Sequence, residues 1–196
     1  MTGFYCFRLV LAFGMVLAAA ACSSPNPDLY TIAPIPGSEL NGGPRVVALR
    51  GVGIAKYLQR SQIVRSSEDY RVDLKTNDWW GEPLDAMMAR VLVEDLSQRL
   101  PGSTIYTAAG AVTGSPEAAI EIEIQRLDLD KSGNLILVAQ ASVSVKNATS
   151  SNTRRIHLSQ MPPSPGVGGQ VAATSTAVAQ LADRIAEMLV TARVHR

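Results

Sequence analysis

From Ala118 the chain alternates. Ile120, Ile122, Ile124, Leu127 and Leu129 interleave with Glu121, Glu123, Gln125, Asp128 and Asp130. Period two puts the two sets on opposite faces of a strand, and the single slip near Arg126 predicts a bulge. Asp130 to Asn134 supplies a turn, after which Leu135, Leu137, Ala139, Ala141, Val143 and Val145 carry a second apolar series. The pattern predicts a long antiparallel hairpin with one apolar and one wet face. On that reading Glu121, Glu123, Asp128 and Asp130 line a solvated sheet face rather than forming paired carboxylates for acid–base chemistry.

Two stretches change to helical spacing. Leu84, Met87, Met88, Val91, Leu92, Leu96 and Leu100 fall on one stripe of a helix that starts at Pro83. A proline costs little in the first turn, Glu82 and Asp85 complement the positive end of the helix dipole, and Pro101-Gly102 ends it. Near the C-terminus Val171, Val178, Leu181, Ile185, Met188 and Leu189 make a second stripe on an alanine-rich helix from Gln170, preceded by a glycine-rich loop.

Shorter runs predict strands at Leu29–Ile32, from Val46 to Leu49, around Thr104–Thr107, and over 153–161. Ile63 and Val64, a polar turn, then Tyr70, Val72 and Leu74 suggest another hairpin. Strands with two segregated helices point to one α+β domain, an antiparallel or mixed sheet with two main helices packed on it. No internal repeat or second domain is visible.

The N-terminus has a different character. Leu9 to Ala21 is an uncharged run of 13 residues after Arg8. A spanning helix needs about 20 apolar residues, whereas this length matches the core of a secretory signal peptide. Ala19-Ala20-Ala21 satisfies the small-residue rule for ordinary cleavage. Followed by Cys22, it also resembles the lipobox of bacterial lipoproteins, with Ala19 where leucine is commoner. Cleavage there would leave Cys22 as the only cysteine, an odd thiol in an oxidising compartment. Two products stay open, a soluble periplasmic protein with a free thiol and a lipoprotein acylated (with palmitate, for example) on Cys22; the unpaired thiol favours the second. The expected organisation is a signal peptide at 1–21, a lipidated N-terminus and proline-rich tether at 22–28, and one domain at 29–196.

Composition excludes several classes. The chain has 18 Lys+Arg and 17 Asp+Glu, and the leader holds only Arg8, so the rest is formally balanced. Such a chain has no long-range basic field for nucleic acid, and 5% aromatic residues offer few stacking platforms. His157 and His195, the only histidines, have no cysteine or histidine companion at metal-ligand spacing, so neither metal nor cofactor is expected. Nucleophile motifs and a complete phosphate loop are missing as well, which argues against an enzyme. The adjacent Trp79 and Trp80 allow two readings. Either Trp80 packs at the helix entry and Trp79 covers an edge, or they anchor a protein interface.

Together these residues resemble the ABC-type transport auxiliary lipoproteins. After the cysteine comes a segment like Tyr30-Thr31-Ile32. A strand and a bend then lead into Tyr57, Leu58, Arg60, Gln62, Ile63 and Arg65. Trp80, Glu82, Pro83 and Leu84 match the family's helix start, and Leu96, Gln98, Leu100 and Pro101 its end. Ala55 and Lys56 stand where the family often has proline.

The resemblance implies a lipoprotein on the periplasmic face of the outer membrane. It would serve with an MCE-domain protein and an inner-membrane permease in lipid transport and membrane integrity, docking the periplasmic conduit, and it leaves room for a homo-oligomer. The competing reading is a structural envelope-assembly lipoprotein with no transport role. Tyr57, Arg60, Arg65, Trp79 and Trp80, with arginines and aromatics crowded into one short region, are the candidate partner-binding residues.

Overall fold

The computed structural model describes residues 26–111, 114–146 and 151–192. Cys22, the expected signal peptide and most of the expected tether lie outside the described residues. Eight strands form one mixed sheet: β1 (Asp28–Tyr30), β2 (Val46–Ile54), β3 (Gln62–Ser66), β4 (Asp73–Trp80), β5 (Thr104–Thr107), β6 (Ala118–Leu129), β7 (Leu135–Val145) and β8 (Asn152–Gln160). Two helices, α1 (Leu84–Arg99) and α2 (Val167–Thr191), pack together, α1 on β2 and β5 and α2 on β7 and β8. The domain is α+β, as the pattern predicts.

The long hairpin β6–β7 is the centre of the sheet. It pairs antiparallel from Ala118↔Val145 to Leu129↔Leu135, with the register slipping between Ile124 and Arg126, where the sequence alternation breaks. β8 continues antiparallel on β7. On the other edge of β6 lies β2, parallel from Val47↔Ala118 to Ile54↔Ile124, with the register slipping between Leu49 and Gly51. There β2 leaves, a single 3-10 turn (Lys56–Leu58) follows, and β3 takes over the same edge, touching β6 at Ser66↔Leu129. β4 returns antiparallel to β3, and β1 lies parallel to β4. A Cβ at Gly53 in β2 would meet only the carboxylate end of the exposed Glu123 side chain.

Both stripes are core. Every α1 stripe residue from Leu84 to Leu100 is buried, as are Val171, Val178, Leu181, Ile185, Met188 and Leu189 on α2. They meet Ile120, Ile122, Ile124, Leu135, Leu137 and Ala139 from the sheet in one cluster.

Four expectations need correction. Asn77 to Trp80 belong to β4 rather than to the approach to a helix, and β1 pairs with Asp78, Trp79 and Trp80. Tyr70 and Val72 lie outside the strand, which begins at Asp73; Asp69 (φ 55°) and Tyr70 (φ 61°) are both left-handed and throw the turn outward. Helix α2 starts at Val167, three residues inside the expected loop. Gly169 makes that possible, since a Cβ there would strike the Ser164 carbonyl. Asp128, finally, is fully buried rather than solvated. The 3-10 segment and the β3–β4 turn fold onto the outer sheet face at that end, and Tyr57 and Ser67 close over the carboxylate.

Between β1 and β2 an irregular strap crosses the helices. The Ile35 N–H donates to Asp95 Oδ1 at 2.9 Å, and the Ile35 carbonyl accepts from Arg99. The Leu40 N–H donates to the Arg99 carbonyl at 2.7 Å. Arg99 is buried and also donates to Asp183 and to the Ala179 carbonyl, so one guanidinium joins strap, α1 and α2. Gly37 passes directly over it; a Cβ there would lie 2.4 Å from Arg99 Cζ. Burial raises the Asp95 carboxyl above the usual aspartate range, offset in part by the Ile35 N–H and Arg99.

Candidate docking surface

Where β2 hands its edge of β6 to β3, the sheet opens a cleft of about 640 Å³ lined by Ile54, Gln59, Arg60, Ser61, Trp80 and the helix entry Gly81–Asp85. The backbone around it is closely tied. The Trp80 N–H donates to the Ser61 carbonyl at 2.8 Å, the Gly81 N–H to Tyr30 at 2.8 Å, and Gln59 Nε2 to Ile54 at 3.1 Å. Pro83 precedes the first residue of α1 without donating an N–H, and its carbonyl accepts from Met87.

The five residues singled out by sequence do not form one patch. Arg60 is exposed on the rim, its Nε donating to the Tyr57 carbonyl at 2.7 Å; among the described residues no carboxylate pairs with it. Trp80 is buried and gives the cleft an apolar wall. Trp79 points to the opposite face of β4, as successive strand residues must. It is half-buried and donates its indole N–H to the Thr76 carbonyl at 2.9 Å. Arg65 lies further along β3, lines a different hollow, and reaches Gln170 Oε1 at 3.4 Å.

Tyr57 sits below the rim and faces inward. Its hydroxyl donates to Asp128 Oδ2 at 2.8 Å and accepts from the Leu127 N–H at 3.3 Å. Desolvation first, and then the bond to Asp128, raises its pKa above the ordinary tyrosine value, so the phenol stays a donor. Ser67 donates to the same Oδ2 at 2.6 Å, and Arg126 Nε to Oδ1 at 2.9 Å, while the other arm of Arg126 holds Glu68 at 2.6 Å. This network fixes the 3-10 turn that presents Arg60.

Sequence reasoning passed over Gln59, Ser61, Glu82 and Asp85 as cleft residues. Only the crossing from β2 to β3 beside the helix entry brings them together, and no local spacing records it. Glu82 is held by Arg90 at 2.6 Å. The cleft thus offers a guanidinium without an ion-pair partner, an indole wall, the Glu82 carboxylate held by Arg90 and the exposed Asp85 carboxylate. Those are groups that recognise a surface, and Arg and Trp are the types that anchor interfaces. Among the described residues no His, Cys, Asp and Glu cluster could hold a metal ion, and no helix is long and apolar enough to cross a membrane.

The domain is thus a mixed sheet with two packed helices and an open, polar-rimmed cleft at the helix entry. The ABC-type transport auxiliary lipoprotein component family matches residues 30–186, and the chain belongs to that family. It is 24% identical over 132 residues to the intermembrane transport lipoprotein PqiC of Escherichia coli, covering 66% of this chain and 69% of that protein; the Shigella flexneri PqiC gives the same figures. The fold is similar to the crystal structure of an uncharacterized protein, with a TM-score of 0.71 at 20% identity over 83% of this chain and 98% of that one. A Xanthomonas campestris protein has the same fold, with a TM-score of 0.64 at 13% identity over 83% of this chain and 94% of that one.

Proposed function

We propose that this protein is the outer-membrane-anchored accessory lipoprotein of an MCE-type, ABC-driven lipid transport system. Cys22 carries the lipid on the periplasmic face of the outer membrane. The folded domain receives the conduit formed by an MCE-domain protein, whose other end meets an inner-membrane permease. The family match carries the reading, since it runs from β1 into the last turns of α2. The docking surface centres on Arg60 and the Trp80 wall, with Tyr57 holding it from beneath, while Arg65 and Trp79 lie outside it.

The domain performs no chemistry in this account. It contributes position: a membrane anchor on one side, a rigid recognition surface on the other. An arginine without a carboxylate partner beside an apolar wall favours a segment that presents an acidic and an apolar side chain together.

The test is a pull-down of tagged mature protein from cross-linked envelopes, with partners identified by mass. Recovery of an MCE-domain protein and its permease supports the proposal. Recovery of envelope-assembly components without them would replace it with a structural role.

A further inference from the structure

Three loops meet at one end of the sheet. They are the β3–β4 turn (67–72), the β6–β7 turn (130–134) and the β8–α2 loop (161–166). Lys131 binds Asp69 at 2.6 Å across the first two, and the Leu135↔Gln160 pairing brings the third alongside. This end carries most of the large hydrophobic side chains that the described fold leaves in solvent: Tyr70 at 110%, Met161 at 82% and Val72 at 41% relative exposure. Exposed Pro163 and Pro165 continue the same loop.

Tyr70 is not exposed by accident of a loose turn. Asp69 and Tyr70 both hold left-handed backbone, an unfavourable conformation for non-glycine residues that persists only where surroundings enforce it. Here Arg126 holds Glu68 and Lys131 holds Asp69, the residues just before the ring. The result aims a phenol ring straight out of the domain.

The direction of the chain says what lies beyond that ring. β1 is parallel to β4, with Asp28 beside Asp78, and Asn77 Nδ2 donates to the Asn26 carbonyl at 3.4 Å. Followed backward from Asp28, the chain therefore heads along β4 toward Asp73 and the Tyr70 turn. Six Cα–Cα steps lead from Cys22 to Asp28, a reach of at most about 20 Å. The strand from Asp78 back to Asp73 covers about 17 Å of it. A lipid on Cys22 is thus within reach of the level of this end.

We infer that the Tyr70–Val72–Met161 end is a membrane-resting surface, which seats the domain upright on the bilayer headgroups and holds the Arg60 cleft clear of the lipid. Tyrosine suits the task, because its ring enters the headgroup boundary while its hydroxyl stays wet. The inference rests on the proposed anchor at Cys22.

The test places an environment-sensitive nitrobenzoxadiazole probe on Tyr70→Cys, Met161→Cys or, at the opposite end, Ser115→Cys. The full mature lipoprotein sits in vesicles of phosphatidylethanolamine and phosphatidylglycerol, where the lipidated Cys22 has no free thiol. The probes at 70 and 161 should shift to the blue and be quenched by spin-labelled lipid, while the probe at 115 stays in water; unchanged melting temperatures show that each variant is folded. If the protein does not float with vesicles, the anchor reading has failed. The same probes on a chain with hexahistidine replacing Cys22, held on nickel-chelating vesicles, then decide the contact by itself. Equal, water-like spectra at all three sites overturn the inference. So does a shift at 70 and 161 that requires added MCE-domain protein, since this end would then be a protein-docking surface.

Discussion

The Tyr57 hydroxyl donates to Asp128 Oδ2 at 2.8 Å, joining residues 71 apart in sequence. Asp128 is fully buried and accepts from three side chains, so the 3-10 turn is fastened to the sheet at one charged point. Tyr57→Phe deletes one donor and leaves the Leu127 N–H without its partner. A loss of about 1–3 kcal/mol is expected, the range for a buried polar group left unsatisfied. Chemical denaturation measures it; an unchanged midpoint would mean that the hydroxyl does not fasten the turn.

Helix α1 offers a test of the core. Leu92 is fully buried, and its truncation to alanine should cost about 2–5 kcal/mol. Against a total stability of about 5–15 kcal/mol, the variant would fold but melt visibly earlier. Trp79→Ala, on the half-buried face of β4, should cost less than Leu92→Ala in the same experiment.

The strap predicts a dependence on pH. Burial raises the Asp95 carboxyl above its unfolded value of about 3.9. Its protonated form is therefore favoured in the fold. That contribution is fully present below the unfolded pKa and is lost as pH rises through the folded one. Asp95→Asn keeps an acceptor for the Ile35 N–H but cannot ionise. Relative to the wild type, the variant should gain stability as pH climbs from the ordinary aspartate range toward neutrality. Parallel stability curves for the two proteins would show that Asp95 does not titrate against folding.

Much of this fold can be read from period alone. The break in alternation at Arg126 marks the observed bulge, and both helical stripes fall on buried faces, because each depends only on neighbours within a few positions. What escapes is set by distant segments. Asp128 looks like a wet-face carboxylate, since nothing near it in sequence shows that Tyr57 and Ser67 fold over it. Trp79 and Trp80 look like a helix approach because their partner, β1, lies some 50 residues earlier. The cleft is illegible for the same reason: Arg60 and Trp80 were visible as residue types, but their shared cavity arises only where β2 passes its edge to β3.

Anchoring makes a further prediction. Cells fed a radiolabelled fatty acid should label the wild-type protein and not Cys22→Ala, and detergent should be needed to extract the labelled form. Stable membrane attachment takes about two lipid signals, which a multiply acylated cysteine provides. Equal absence of label in both proteins would leave a soluble periplasmic protein.

The central claim is that the cleft rim receives the transport conduit, and Arg60 tests it with least ambiguity. Its side chain is exposed and held by one bond to a backbone carbonyl, so removing it leaves the core untouched. The decisive measurement is the affinity of Arg60→Ala for the MCE-domain protein of the same system, taken beside its melting temperature. The account predicts an unchanged melting temperature and binding weakened by about 2 kcal/mol or more, roughly thirtyfold. Wild-type affinity in a fully folded Arg60→Ala protein would contradict it.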